Sequence, residues 1–229
     1  MVVEKELIIK KVNEYHNLGD EDLIYKGEGL LEEYLKNNPD DIDMLLRLGA
    51  YVLAPPIVND LKTMDCVYKI LNIDKNNVEA VLLYACANLL YCFENYQEAL
   101  DLLLGLKTDD PEKLSMIEYA KSWSYEYEYK YDQFEQALIK SVQLYPFHVW
   151  NCRDLGRLYI KQGRKSEGFE LLSKAIGNVK IACNSDHEVD WTDANEYLDE
   201  FIRGTHIPDS LYESLKKELL KISLEDHAL

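Results

Sequence analysis

The chain has 229 residues, 47% of them hydrophobic, enough to enclose a substantial core and unlike the makeup of a disordered segment. Its 42 acidic against 25 basic side chains leave a formal charge of -17, which repels a phosphate polymer over most of the surface and argues against nucleic acid as a partner. No apolar stretch approaches the ~18 residues of a spanning helix, and Met1 to Glu6 lacks the basic start and apolar run of an export signal, so one soluble, elongated, cytoplasmic domain without membrane contact is expected.

Helical units succeed one another along the chain. A first unit, about Ile8 to Asp41, is supported by Leu31, Tyr34 and Pro39. From Ile42, Leu45, Leu48, Gly49 and Val52 continue a helical face until Pro55-Pro56 breaks it, with about two extra residues in the turn that follows. Leu83, Cys86, Ala87 and Leu90 fall at i, i+3, i+4, i+7, a turn is expected at Glu94-Asn95, and Tyr96, Ala99, Leu100, Leu103 and Leu106 restore the spacing. Asp109-Asp110-Pro111 then stops one helix and starts the next.

In the following unit Ser122, Tyr125 and Pro146 hold the register, while Asp132 to Leu138 reads better with Ala137 than with Phe134 at the second-helix contact, which lengthens the first helix and shortens the second. The run Ser124 to Tyr131 alternates with the period of a strand, but an isolated strand would leave unpaired edges, so it is assigned to a helix end plus its turn. Cys152, Leu155, Gly156 and Tyr159, then Gly168, Leu172 and Ala175, form the last unit. Beyond a polar connector from Cys183 to Asp190, Trp191, Ala194, Leu198, Phe201 and Ile202 predict a helix ended by Gly204. Leu211, Leu215 and Leu219 predict a final helix, with Asp209 or Ser210 as its N-cap.

Pro111 to Pro146 is a step of 35 residues and Ser122 to Gly156 one of 34, the period of a two-helix repeat in which small residues let paired helices approach. The pattern resembles the tetratricopeptide repeat family, whose units carry bulky residues at positions 4 and 24, small residues near 8, Tyr at 11, Ala at 20 and 27 and Pro at 32. The resemblance is carried by Leu83, Cys86, Ala87, Leu90, Ala99, Leu103, Leu106 and Pro111 counted from Ala80, and by Cys152, Leu155, Gly156, Tyr159, Gly168, Leu172 and Ala175 counted from Val149. It implies an all-α, right-handed α-solenoid of antiparallel helix pairs over residues 1–182, four or five units of which 80–113, 115–148 and 149–182 are best, with C-terminal capping helices over 183–229.

The resemblance also implies a concave groove lined by the first helices. Carried over residue by residue, the groove positions are Tyr84, Asn88, Tyr91, Tyr119, Trp123, Tyr127, Trp150, Arg153, Arg157 and Lys161. Aromatic side chains give large contact area with little entropy loss and Arg adds carboxylate recognition, so a peptide or protein segment is the expected ligand, acidic groups meeting the arginine end. The Lys and Asn clamp with which some family members hold chaperone tails is not matched here.

No phosphate loop, nucleophile elbow or His-Glu-x-x-His pair occurs, the five histidines are scattered, and the five cysteines form no short pairs. The set Cys183, Asp186, His187 and Asp190 lacks a second soft ligand at metal spacing. The expectation is therefore a non-catalytic protein-interaction module without cofactor or metal. A dedicated chaperone or inhibitor of one client, an enzyme or small-molecule-binding regulator on the same scaffold, and a homo-oligomer stay open.

Overall fold

A computed structural model describes residues 2–88, 96–182 and 194–226. Among these the backbone forms twelve helices and no strand: α1 (Val2–Leu18), α2 (Glu21–Asn37), α3 (Ile42–Leu53), α4 (Asp60–Ile73), α5 (Val78–Ala87), α6 (Tyr96–Gly105), α7 (Pro111–Tyr127), α8 (Tyr131–Leu144), α9 (Val149–Lys161), α10 (Lys165–Ala182), α11 (Ala194–Phe201) and α12 (Asp209–Asp226). The expected turn at Glu94-Asn95 and the connector from Cys183 to Asp190, with its cysteine and histidine, lie outside the described residues, as do Leu90 and Trp191.

Short polar side chains start the helices. Asp20, Asp41, Asn59 and Asn77 each accept a hydrogen bond from the amide three residues on, at 2.9–3.2 Å, satisfying a donor that the helix leaves orphaned. Asp110 does the same for Glu112 and Lys113, just before Pro111 opens α7. The final helix differs from expectation. The Leu211 and Tyr212 amides donate to the Pro208 carbonyl, so Pro208 is the cap residue and Asp209 already sits in the first turn.

The helices gather into two compact units, Met1–Asp109 with Trp123–Tyr129, and Asp110–Ser122 with Lys130–Leu229. In the first, α1 packs with α2, α3 with α4 and α5 with α6, while α3 also touches α2 and α5. Gly49 lies at the α3–α4 crossing, where the buried Thr63 hydroxyl donates to its carbonyl at 2.8 Å. Pro55–Pro56 follows the end of α3, as the sequence predicts.

Of the predicted apolar face of α5, Ala87 is fully buried while Leu83 and Cys86 are only half-buried; burial extends instead to Ala80, Val81, Tyr84, Ala85 and Asn88, because α5 is enclosed by α3, α4 and α6 rather than packed on one side.

In the second unit α9 and α10 are the most closely packed pair. A Cβ on Gly168 would stand 2.7 Å from the Gly156 carbonyl oxygen and 2.5 Å from Ile160 Cγ1, and one on Gly156 would stand 3.0 Å from the Gly168 carbonyl oxygen. Glycine alone permits that approach. Cys152, Ile160, Leu172, Ala175, Ile176 and Val179 then close a core completed by Leu198, Phe201, Ile207, Leu215 and Leu219 from the C-terminal segment. These five large apolar side chains, at ~1.5–3 kcal/mol apiece, tie the C-terminal segment to α9 and α10. A buried polar knot joins α7, α8 and α9: Ser115 and Ser141 exchange hydroxyl-to-carbonyl hydrogen bonds at 2.9 and 2.8 Å, and Asn151 Nδ2 donates to both hydroxyls.

His148, the residue that opens α9, makes no side-chain cap bond, and its Nε2 is buried without a hydrogen-bond partner. Burial pushes the imidazole below its ordinary value, against the pull of Glu112. The unfolded chain therefore takes up the proton more readily, and this contribution to stability is present above about pH 6.5 and lost as the pH falls below it.

Gly168→Ala is expected to lower stability by about 1–3 kcal/mol through overpacking. Gly177→Ala, in the same helix but with nothing within 4 Å of the added carbon, is expected to raise it by about 0.5–1 kcal/mol, both read from denaturant midpoints. His148→Asn, which removes the imidazole and supplies a capping oxygen, should lose less stability than the parent between about pH 7.5 and about pH 5.5. Equal acid losses would contradict the role given to His148.

A candidate interaction face on α9

Residues 150, 153 and 157 are spaced i, i+3, i+7 and so share one side of α9, while Cys152, Leu155, Gly156 and Tyr159 turn into the core. The shared side is organised by one carboxylate. Asp154 accepts from Arg153 Nε at 2.8 Å and Nη2 at 2.7 Å, and from the Tyr119 hydroxyl of α7 at 2.6 Å, with Arg157 Nη1 3.8 Å away. The Arg153 guanidinium lies 4.4 Å over the Trp150 ring, and that ring also approaches Phe201 of α11 at 6.4 Å. Trp150 is thus braced by a cation and an aromatic edge while 47% of it remains exposed.

Arg157 has a different use. Its Nη2 donates to the Arg203 carbonyl just beyond α11, where the chain turns at Gly204, so a cation meets the negative end of that helix. Its Nε is buried without a partner. The arginine end expected to receive acidic ligand groups is therefore largely engaged within the protein. Asp154 binds both guanidiniums, and the α11 terminus binds one of them.

The ten groove positions are distributed unevenly. Tyr119, Trp150, Arg153 and Arg157 come together around Asp154 in the second unit. Tyr84 and Asn88 do not line an open surface, being 0% and 2% exposed, because α5 is enclosed on several sides. Tyr84 packs edge-on against Tyr68 of α4, and burial pushes its phenol far up. Asn88 turns back to the Tyr84 carbonyl at 3.1 Å. Tyr91 lies outside the described residues. Trp123 is half-buried in α7, Tyr127 is exposed and stacked on Tyr96, and Lys161 is exposed at the end of α9.

Asp154 was not among the expected positions. Its signal was in the sequence, since Tyr119 and Asp154 stand 35 residues apart, one repeat, and the acid sits beside one arginine and three residues before the other.

Cys66 and Cys152 are buried, and desolvation pushes each thiol up to about 11, which leaves them neutral hydrophobes. Among the described residues no group of three His, Cys, Asp or Glu side chains is placed to hold a metal, and no helix is long and apolar enough to cross a membrane.

Adjacent helix pairs, small residues at the crossings and hairpin turns a repeat apart define a tetratricopeptide-like helical-repeat fold. Solved structures agree. The chain is similar to PilW, described as a widely conserved type IV pilus biogenesis factor, at 14% identity with a TM-score of 0.60, covering 99% of this chain and 90% of that one. It is similar to the MamA protein at 16% identity and TM-score 0.53, covering 91% and 100%, and to a MamA fragment from Desulfovibrio magneticus RS-1 at 17% identity and TM-score 0.53, covering 74% and 96%. No protein-family model and no curated protein matches the sequence. At these identities the likeness is one of fold.

Proposed function

We propose that this chain is a non-catalytic protein-interaction module, and that the α9 face centred on Trp150 receives a segment of a partner protein. The observation that carries this reading is the state of Trp150: a large aromatic surface, half open to solvent, already fixed by Arg153 beneath it and Phe201 beside it. An anchor immobilised before binding costs little further entropy, which is what makes aromatic hot spots effective. Tyr119 and Asp154 support it from below by holding Arg153 in place.

The fold shared with PilW and MamA is consistent with a scaffold. The chemistry of the face favours an apolar or aromatic partner side chain laid on Trp150 over a carboxylate drawn to the arginines, whose charge Asp154 and the Arg203 carbonyl already answer. A single obligate client and a short recurring motif would both use this face.

The test is selection of binding segments from a random peptide display library on the intact protein, followed by affinity measurement with variants. Trp150→Ala is expected to weaken a selected segment by about tenfold or more. Arg157→Met is expected to lower thermal stability and to weaken a selected segment less than Trp150→Ala does, since its guanidinium acts on the face only through α11. Full affinity in a folded Trp150→Ala protein would remove this face from the reading.

A further inference from the structure

Apolar residues crowd the turn between α3 and α4. No charged residue occurs between Arg47 and Asp60, and Ala54-Pro55-Pro56-Ile57-Val58 makes the turn itself. Pro55 and Pro56 are exposed, Val58 is 43% exposed, and Leu61 in the first turn of α4 is 75% exposed. Backbone contacts hold this tip in shape: Val58 N donates to the Ala54 carbonyl at 3.3 Å and Asn59 N to the Val52 carbonyl at 2.7 Å, while the Asn59 side chain caps α4. Val58 sits at φ 46°, a conformation that costs a β-branched residue more than glycine. The first unit therefore presents a preformed apolar tip to solvent.

Acids flank the tip. Tyr51, near the end of α3, donates to the Ile24 carbonyl of α2 at 3.0 Å and its ring lies 5.8 Å from that of His16 in α1, which brings the α1–α2 turn alongside. That turn carries exposed Leu18 and then Asp20, Glu21 and Asp22, also exposed, and Asp60 opens α4. The surroundings of Trp150 have the opposite character. Residues 149–182, which span α9, its turn and α10, hold seven Lys and Arg against three Asp and Glu, in a chain that has 25 against 42. Phe147, three residues before Trp150, leaves a second aromatic side chain half open to solvent there.

We propose that the chain associates with copies of itself head to tail, the α3–α4 tip of one copy laid on the Trp150 face of the next. This rests on the reading of that face as a binding surface and supplies its occupant. The tip offers what the face takes, prolyl and aliphatic side chains fixed before contact, so that little entropy is lost when they cover the aromatic rings. Its acidic surround meets the basic helix pair, which orients the encounter and works against the general repulsion between two acidic copies. Both surfaces are open to solvent within one chain, so each bound copy keeps one tip or one face for a further copy. The contact is heterologous, and it grows into open chains or closes into a ring.

The experiment is sedimentation equilibrium of the full-length protein over a concentration series. The mass of the parent is expected to rise past that of a dimer as concentration increases. Leu61→Ser and Trp150→Ala, each checked for an intact fold by circular dichroism, should weaken association by about tenfold or more. Mixed in equal amounts, the two variants should form a one-to-one pair and nothing larger, because Trp150→Ala keeps its tip and Leu61→Ser keeps its face. A parent that stays monomeric, a variant that associates as the parent does, or a mixture that forms no pair would each overturn the proposal. A monomeric parent whose display-selected segments still require Trp150 would overturn self-association alone and leave the face standing. Association and selected segments that are both indifferent to Trp150→Ala would remove the face and this occupant together.

Discussion

The contact on which the second unit depends is the meeting of two backbones, α9 at Gly156 and α10 at Gly168. Without side chains at that point the helices approach until carbonyl oxygens and Cα positions are in van der Waals contact, and Leu172, Ala175 and Ile176 close against Cys152 and Ile160. The rotation of α9 about its own axis is thereby set. Residues 152, 155, 156 and 159 must point inward, and at 3.6 residues per turn Trp150, Arg153 and Arg157 must then share another side. A methyl group at the glycine contact would disturb that side without touching it.

Charge on the α9 face is arranged to hold side chains still more than to attract a ligand. Asp154 fixes Arg153 from the Nε side, and the guanidinium then has one plane to lie in, over Trp150. Arg157 spans the distance to the Arg203 carbonyl and joins α9 to the cap. Because Leu198, Phe201, Ile207, Leu215 and Leu219 are buried in the same core, the cap and the face are mechanically one piece. Trp150 gains its aromatic neighbour, Phe201, only because the cap is seated.

How much was legible in the sequence depended on whether a position's neighbours were local or distant. Small residues at helix crossings, Pro111 at a helix start after Asp109-Asp110 and the helical ending of the tyrosine-rich run are consequences of local geometry, and they read correctly. Tyr84 and Asn88 did not, because the enclosure of α5 by helices from other pairs decides their exposure and no periodicity within α5 reports it. The same holds for Arg157, whose partner carbonyl is 46 residues away. Asp154 was missed for another reason. Groove positions transferred one by one identify which residues face outward, but not which carboxylate binds them to each other.

The most direct measurement of the central claim is hydrogen–deuterium exchange of the intact protein with and without a display-selected binding segment. Binding at the braced tryptophan predicts slowed exchange over α9 from 149 to 157 and over the 115–122 stretch of α7, with α2 and α4 unchanged. Protection confined to α2 and α4, with α9 exchanging as in the free protein, would contradict it.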